Sequence, residues 1–158
     1  MDNSELVKKF YTAFQNKGWK QMQEGYHEEI HFSDPVFPDL RGKKAKAMWH
    51  MLTSASKDLT LTFADIKTDT ERGTCHWEAI YSFSKTGRKV HNKIDAHFAF
   101  KDGFIIEHKD HFDLWKWSKM ALGLPGKLLG WTPFMKKKIR LMAEKNLTHF
   151  ISKNPIYH

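Results

Sequence analysis

The chain lacks features that several classes of protein require. Its one cysteine, Cys75, allows no internal disulfide, and no Cys/His spacing around it is typical of a zinc site. No apolar run approaches the ~20 residues that a membrane-spanning helix needs, and the start MDNSELVKK lacks the apolar segment of a signal peptide. No phosphate-binding glycine loop, nucleophile elbow or dinucleotide fingerprint is present. These absences favour a cytoplasmic protein that uses no metal and no other cofactor.

Proline is also scarce, with 5 residues in 158, whereas hydrophobic residues make up 41% and aromatic residues 14% of the chain. This composition is typical of a folded chain with a proper core rather than of a disordered one. The length predicts a single domain spanning residues 1–158.

Acidic residues are scarce towards the C-terminus. The net charge is +8, and residues 113–158 hold nine Lys/Arg against only Asp113 and Glu144. No nucleic-acid-binding module accompanies this charge, so we expect no nucleic-acid partner and interpret the basic residues as a solvated helix face.

The period of the apolar residues changes twice along the chain. Helical spacing predicts a first helix after Ser4, a candidate N-cap, and further helices near residues 19–26 and 45–52. Period-two alternation predicts four successive strands joined by short turns, and hence an antiparallel meander. The strands are expected at 59–66, 74–84, 90–101 and 104–112. Helical spacing returns over 114–122 and, behind Thr132 and Pro133, over 132–151, with a glycine-rich hinge between them.

One strand carries unusual polar residues. Its sequence is V90-H-N-K-I-D-A-H-F-A-F100, so an apolar face alternates with a face that holds Asp95 and His97. The polar face is either a wet outer surface or the lining of a cavity.

Several short motifs together resemble the SnoaL-like group of the nuclear-transport-factor-2-like superfamily. They are F32-S-D-P35, L40-R-G42, I94-D95 placed eight residues before Gly103, and I106-E-H-K-D-H-F-D113. The resemblance covers about residues 4–113 and leaves 114–158 as a helical extension. It implies an α+β fold in which a curved antiparallel sheet wraps around N-terminal helices as a cone.

Ketosteroid isomerase is the closest mechanistic comparison within that superfamily. The resemblance implies Asp34, before Pro35, as a general base and Asp95 as a protonated donor of the oxyanion hole. The hole's tyrosine falls on Phe10, with Tyr11 adjacent. Because phenylalanine donates no hydrogen bond, steroid isomerisation itself is not predicted.

If the polar face of the strand is concave, Asp95 and His97 would share a pocket with aromatic side chains of the neighbouring elements. We expect that pocket to be lined by Phe10, Tyr11, Phe14, Trp49, Trp77, Tyr81, Phe83, His97 and Phe112. His108 and Asp110 are further catalytic candidates, alongside Asp34 and Asp95. The structural alternatives are that Asp34 only opens a turn and that His108 and Asp110 form a structural pair. A metal site built from His97, His108, Asp110 and His111 is disfavoured, because no usual ligand spacing supports it.

The residues therefore suggest a cofactor-independent isomerase, cyclase or lyase that uses carboxylates on a small hydrophobic, carbonyl-bearing molecule. A ligand-binding protein without catalysis and a dimeric interaction module of the same fold are the alternatives. The apolar face of residues 90–98 suggests a homodimer. For the extension we favour a lid over the cone's mouth, with contact to a membrane interface as the less favoured alternative.

Overall fold

A computed structural model describes all residues from 1 to 158 and consists of six helices, a six-stranded sheet and a terminal 3-10 turn. The helices are α1 (Asn3–Gln15), α2 (Trp19–Glu24), α3 (Lys43–Ala55), α4 (Leu114–Leu122), α5 (Leu124–Leu129) and α6 (Pro133–Ser152). The strands are β1 (Tyr26–Ser33), β2 (Leu40–Arg41), β3 (Thr60–Thr68), β4 (Arg72–Ser82), β5 (Lys89–Lys101) and β6 (Phe104–His111).

The sheet has the strand order β2-β1-β6-β5-β4-β3, is curved and is not closed into a barrel. The antiparallel meander β3 to β6 confirms the predicted one. Strand β1 pairs in parallel with the last strand, β6, and in antiparallel with the short strand β2. Neither β2 nor these two pairings were predicted. The predicted α+β class with a curved sheet around helices is confirmed.

The main core lies between the concave side of the sheet and helices α1 and α3. Helix α1 contributes its buried stripe, Leu6, Val7, Phe10, Tyr11 and Phe14. Its N-cap is Asp2, whose carboxylate accepts a hydrogen bond from the Glu5 N–H at 2.9 Å, and not Ser4 as predicted. The capped, amphipathic helix thereby fills the cone from within.

The prediction for the two faces of β5 is wrong. Val90, Ile94 and Phe98 point inward and are buried, whereas Asp95 and His97 point outward and are exposed. Directly paired residues of neighbouring strands share a face, and Trp77 pairs with Ile94. The inner face of the sheet is therefore the apolar one.

This orientation removes the premise for the predicted dimer. The apolar face of β5 belongs to the protein's own core, where Ile94, Ala96 and Phe98 are buried with residues of α1 and α3. The outer face is polar. A homodimer stays a prediction, but that face is not available to form it.

The C-terminal extension packs against the sheet through a second, smaller core. Val90 of β5 lies there with Leu114 and Trp117 of α4 and with Met135 and Ile139 of α6. Thr132 caps α6 as predicted, by accepting a hydrogen bond from the Met135 N–H at 3.2 Å. No helix has both the length and the apolar character needed to cross a bilayer.

Candidate active site

A cavity of about 370 Å³ opens between the concave sheet, α3 and the C-terminal helices. Six of the aromatic residues predicted from the sequence lie on its wall: Phe14, Trp49, Trp77, Tyr81, Phe83 and Phe112. The only ionisable carboxyls on the wall are Asp34 and Asp110, and no lysine or arginine lines it. The site is thus apolar with two acidic groups, a composition suited to a small organic ligand.

Parallel strand pairing brings these two carboxyls to the same place. Ser33, the last residue of β1, pairs with Lys109 of β6. Both strands run in the same direction, so the next residues, Asp34 and Asp110, emerge at the same end of the sheet. Two residues far apart in the chain thereby line one cavity.

Asp34 sits in a tight turn directly after β1. Its Oδ1 accepts hydrogen bonds from the N–H groups of Val36 at 2.7 Å and Phe37 at 2.6 Å. Asp34 therefore also opens a turn, which was the structural alternative predicted for it from the sequence. Its Oδ2 has no hydrogen-bond partner within the protein and is free for a ligand.

The pKa of Asp34 is raised from 3.8 to about 7. Loss of hydration is the largest cause, and the charge of Asp110 adds to it. The Phe37 and Val36 hydrogen bonds and the charge of Arg140 act in the opposite direction and only partly offset it. Near neutral pH the group exists in both forms, as an acid-base catalyst requires.

Asp110 is held by two donors on its Oδ1. His108 Nε2 lies at 2.9 Å and Trp77 Nε1 at 3.3 Å. Asp110 is only 3% exposed, and its Oδ2 has no partner within the protein. That oxygen is therefore accessible only from the cavity.

A buried hydrogen-bonded chain fixes the orientation of His108. The Trp49 indole N–H donates to the Tyr26 hydroxyl oxygen at 2.7 Å, and that hydroxyl lies 2.7 Å from His108 Nδ1. The Trp49 indole can only donate, so His108 Nδ1 is the one acceptor that the Tyr26 proton can reach, and the ring proton of a neutral His108 is then on Nε2, facing Asp110. His108 is fully buried among aromatic rings and does not reach the cavity. It positions Asp110 and does not touch a ligand.

Tyr81 adds a hydroxyl to the cavity wall. Its oxygen accepts a hydrogen bond from the Trp117 indole N–H at 2.8 Å, which leaves the Tyr81 proton free to be donated. Burial, as the largest cause, raises the pKa of Tyr81 above its ordinary value, so the group stays protonated.

Asp95 and His97 do not lie in the cavity, contrary to the prediction. The Asp95 carboxylate is on the outer face of the sheet, 2.8 Å from His76 Nδ1, with its side chain 70% exposed. The His76 ring continues to Glu78, which also contacts His91. Asp95 thus belongs to a solvent-facing ladder across β4 and β5.

The metal alternative also fails on this geometry. His97 and His111 face each other on the outer surface, with ring centroids 5.0 Å apart, whereas His108 and Asp110 lie inside. No group of three potential ligands converges anywhere in the chain.

Phe10 and Tyr11 are core residues and do not line the cavity, contrary to the prediction. The Phe10 ring stacks on Tyr26 with centroids 5.3 Å apart. Tyr11 is fully buried beside Phe63 and Trp77, and its hydroxyl has no hydrogen-bond partner. The tyrosine next to the expected donor position therefore offers no hydroxyl to the cavity.

Sequence reasoning missed several residues of the site. Tyr26 carried no signal, since it fell at the end of a predicted helix. Asn92 could have been found, because it shares the inner face of β5 with Ile94. Helix α6 supplies Ile139, Met142 and Asn146 to the wall, which places part of the extension over the cavity.

The fold and the site define a cone with an acidic, aromatic cavity, and the sequence match agrees. The SnoaL-like domain profile matches residues 7–108, and the chain belongs to this family. The match includes Asp34 and His108 and ends two residues before Asp110. No curated protein matches the chain in sequence.

Solved structures share the fold at low sequence identity. TsrD from Streptomyces laurentii superposes with a TM-score of 0.67 at 19% identity, covering 78% of this chain and 99% of that protein. A Jannaschia sp. CCS1 protein named provisionally as a SnoaL-like polyketide cyclase has a TM-score of 0.66 at 14% identity, covering 77% and 91%. An M. tuberculosis LEH-like epoxide hydrolase has a TM-score of 0.60 at 17% identity, covering 80% and 94%. The cone is thus a fold also found in structures named for enzymes, and a fold shared at this level of identity does not determine the reaction.

Proposed function

We propose that this protein is a cofactor-independent enzyme that moves a proton on a neutral, hydrophobic, carbonyl-bearing molecule. The observation that carries the proposal is the pair Asp34 and Asp110 on one apolar cavity, each with an unpartnered Oδ2. Isomerisation and cyclisation of such molecules both begin with this proton transfer.

The two carboxyls differ in the way that acid-base catalysis needs. Asp110 Oδ1 accepts from His108 and Trp77, an arrangement that suits a carboxylate. Asp34, whose pKa is about 7, is substantially protonated at neutral pH. Asp110 is accordingly the base and Asp34 the acid.

In the proposed step, Asp110 Oδ2 takes a proton from a carbon next to the carbonyl. The electron pair of the broken C–H bond becomes a C=C bond, and the π pair of the carbonyl moves onto its oxygen, which gives an enolate. The protonated Asp34 and the Tyr81 hydroxyl donate hydrogen bonds to that oxygen, which stabilises the developing charge in a low-dielectric cavity. Tyr81 thus serves as the hydroxyl donor that Phe10 cannot be.

The cavity also restricts the class of substrate. An anionic substrate would meet two carboxyls and no cation on the wall, so its burial would be unfavourable. The aromatic wall favours a flat, apolar molecule. We therefore expect a neutral cyclic or polyketide-like ketone rather than a phosphorylated or carboxylated metabolite.

The test follows the exchange of the α-protons of 2-tetralone for deuterium by NMR, with 2-naphthol as a binding probe that resembles the enol. We expect wild type to accelerate exchange, and Asp110→Asn to lower the rate by about 10²-fold or more, since general-base catalysis contributes about that much. Asp34→Asn should lower the rate and weaken 2-naphthol binding.

The matched control is Asp95→Asn, which makes the same chemical change on the outer face, away from the cavity. It should exchange 2-tetralone within about twofold of wild type. If Asp110→Asn exchanges as fast as wild type while both proteins bind 2-naphthol, Asp110 is not the base.

The apolar wall also supports a second candidate, a protein that binds such a molecule without transforming it. Most of the lining residues are hydrophobic, so affinity does not require chemistry. Binding of 2-naphthol that is insensitive to both Asp34→Asn and Asp110→Asn, with no catalysed exchange, would favour this candidate.

A further inference from the structure

The C-terminal helices expose an unusual amount of apolar surface. More than half of the large hydrophobic side chains that the chain exposes lie between residues 115 and 141. Leu124 is 66%, Leu128 60%, Trp131 58% and Phe134 72% exposed. Clustered exposed side chains of this size mark an interaction surface rather than ordinary scatter.

Two glycines turn the leucine side chains of α5 towards solvent. A Cβ on Gly126 would lie 2.0 Å from the Ser118 carbonyl oxygen, and one on Gly130 would lie 2.0 Å from the Ser118 hydroxyl. Only glycine permits this approach of α5 to α4, so the glycine side of the helix faces inward. Leu124 and Leu128 consequently point outward.

All charged residues of the same segment are basic. Between Leu114 and Ala143 there is no acidic residue. The cations are Lys116, Lys119, Lys127, Lys136, Lys137, Lys138 and Arg140. Lys119 Nζ lies 3.7 Å from the Trp115 ring centroid, so charge and aromatic surface are in contact. Leucine, phenylalanine and tryptophan interleaved with lysine are typical of segments that bind at a membrane interface.

We propose that this surface, formed by Leu124, Leu128, Trp131 and Phe134 with the surrounding lysines, docks on an anionic lipid bilayer. The apolar side chains enter the boundary between headgroups and acyl chains, and the lysines approach the lipid phosphates. Docking is peripheral, because no helix of the chain can span a bilayer.

The positive charge of this surface favours an anionic bilayer over a second copy of the chain, and its exposed leucines favour a bilayer over a nucleic acid. A second copy would set two basic surfaces against each other, which repels, and a nucleic acid would leave the exposed leucines without a partner. An anionic bilayer satisfies the apolar and the basic residues together. Docking does not depend on the proposed catalytic function.

The geometry of α6 makes the surface compatible with an intact cavity. Met142 and Asn146 lie on the cavity wall, whereas Phe134 and Leu141 are exposed, the latter at 55%. Docking therefore requires no unfolding of the extension and no loss of the lid-like packing over the cavity.

The experiment sediments the full chain with vesicles of phosphatidylcholine and phosphatidylglycerol at 70:30, and with phosphatidylcholine alone. We expect binding to the anionic vesicles that weakens with salt. The double variant Leu124→Ser/Leu128→Ser should lower the partition coefficient by about 100-fold, at about tenfold for each buried leucine lost. Lys137→Gln/Lys138→Gln should lower it about tenfold or more.

The matched control is Phe104→Ser/Ile156→Ser, which removes two exposed hydrophobic side chains elsewhere, at 41% and 63% exposure. It should bind anionic vesicles like wild type. A blue shift of tryptophan emission on vesicle addition should be smaller in Trp131→Phe than in wild type.

Three outcomes would overturn the proposal. They are the absence of sedimentation with anionic vesicles, equal binding by the leucine variant and wild type, and oligomerisation in light scattering that the leucine substitutions abolish. The last result would assign the surface to a second copy. Circular dichroism of each variant checks that the fold is intact, as expected for exposed positions.

Discussion

Replacing Asp34 with asparagine should stabilise the protein at alkaline pH and change its stability little at pH 4. The raised pKa means that folding favours the protonated form of Asp34. Stability linked to this group is fully present below its unfolded pKa of 3.8 and is lost as pH rises through about 7. Asparagine does not titrate, and its Oδ1 can still accept the two backbone hydrogen bonds, so the variant avoids this loss.

The size of the effect follows from the two pKa values. A rise from 3.8 to about 7 corresponds to at most about 4 kcal/mol, at about 1.36 kcal/mol for each unit of pKa. Asp34 keeps part of its surface exposed, and asparagine gives weaker hydrogen bonds than a carboxylate. We therefore expect about 1–2 kcal/mol in favour of the variant at pH 8.5, or about 2–8 °C in Tm.

Urea unfolding followed by tryptophan fluorescence between pH 4 and 9 measures this difference directly. The control is Glu144→Gln, which neutralises an exposed acid that forms no ion pair. A difference between Asp34→Asn and wild type that does not change with pH would refute the reasoning. So would a difference that grows in favour of wild type as pH rises, since that would require a lowered pKa for Asp34.

Three further substitutions test the surrounding structure. Tyr26→Phe removes a hydroxyl with two buried hydrogen-bond partners, and we expect a loss of about 1–3 kcal/mol in urea unfolding together with slower 2-tetralone exchange; unchanged values would refute the hydrogen-bonded chain. Gly126→Ala forces a methyl group onto the Ser118 carbonyl and should lower stability by about 1–3 kcal/mol, whereas a neutral result would show that α5 packs differently. Asp95→Asn should lower the free energy of unfolding by under about 1 kcal/mol at pH 6 and by less at pH 9. The reason is that the raised pKa of His76 favours its charged form beside Asp95, and this charge is lost as pH rises. An effect that grows with pH would contradict the ion pair between His76 and Asp95.

The architecture could be predicted because it depends on periodicity, which is a local property of the sequence. The meander follows from period-two alternation between short turns, and α6 from Thr132 and Pro133 at its start. The short helix α5 fell in a stretch predicted as a hinge, since its stability comes from the glycine contacts with α4 rather than from an amphipathic pattern.

The prediction that the Asp95 face of β5 points inward was wrong, and the sequence itself contains the reason. The turn between β4 and β5 has four residues, 84–87, and the Phe83 N–H donates a hydrogen bond to the Arg88 carbonyl oxygen across it. With this turn length, each odd-numbered residue of β4 lies opposite an even-numbered residue of β5. Trp77 and Asp95 therefore cannot share a face. An exposed polar face on a sheet that is covered on one side is also the ordinary pattern.

Asp110 and His108 were correctly predicted to point inward, but they were combined with the wrong face of β5, because their direction relative to β5 depends on a register shift. A two-residue turn, Asp102 and Gly103, sets the pairing of Phe100 with Ile105. A bulge at Ala99 and Phe100 then shifts the register by one residue, which turns the remainder of β6 over relative to β5. A bulge depends on tertiary packing, and alternation alone does not reveal it.

The parallel pair of β1 and β6 has a consequence for the order in which the protein assembles. It joins residues 26–33 to 105–109, across the whole meander, and such distant contacts form at a high cost in loop entropy. A chain whose strands β3 to β6 have paired already carries Asp110 on the sheet, but it acquires Asp34, and the Tyr26 that orients His108, only when β1 docks. Recovery of exchange activity during refolding should therefore lag behind formation of the β3–β6 meander and coincide with the docking of β1.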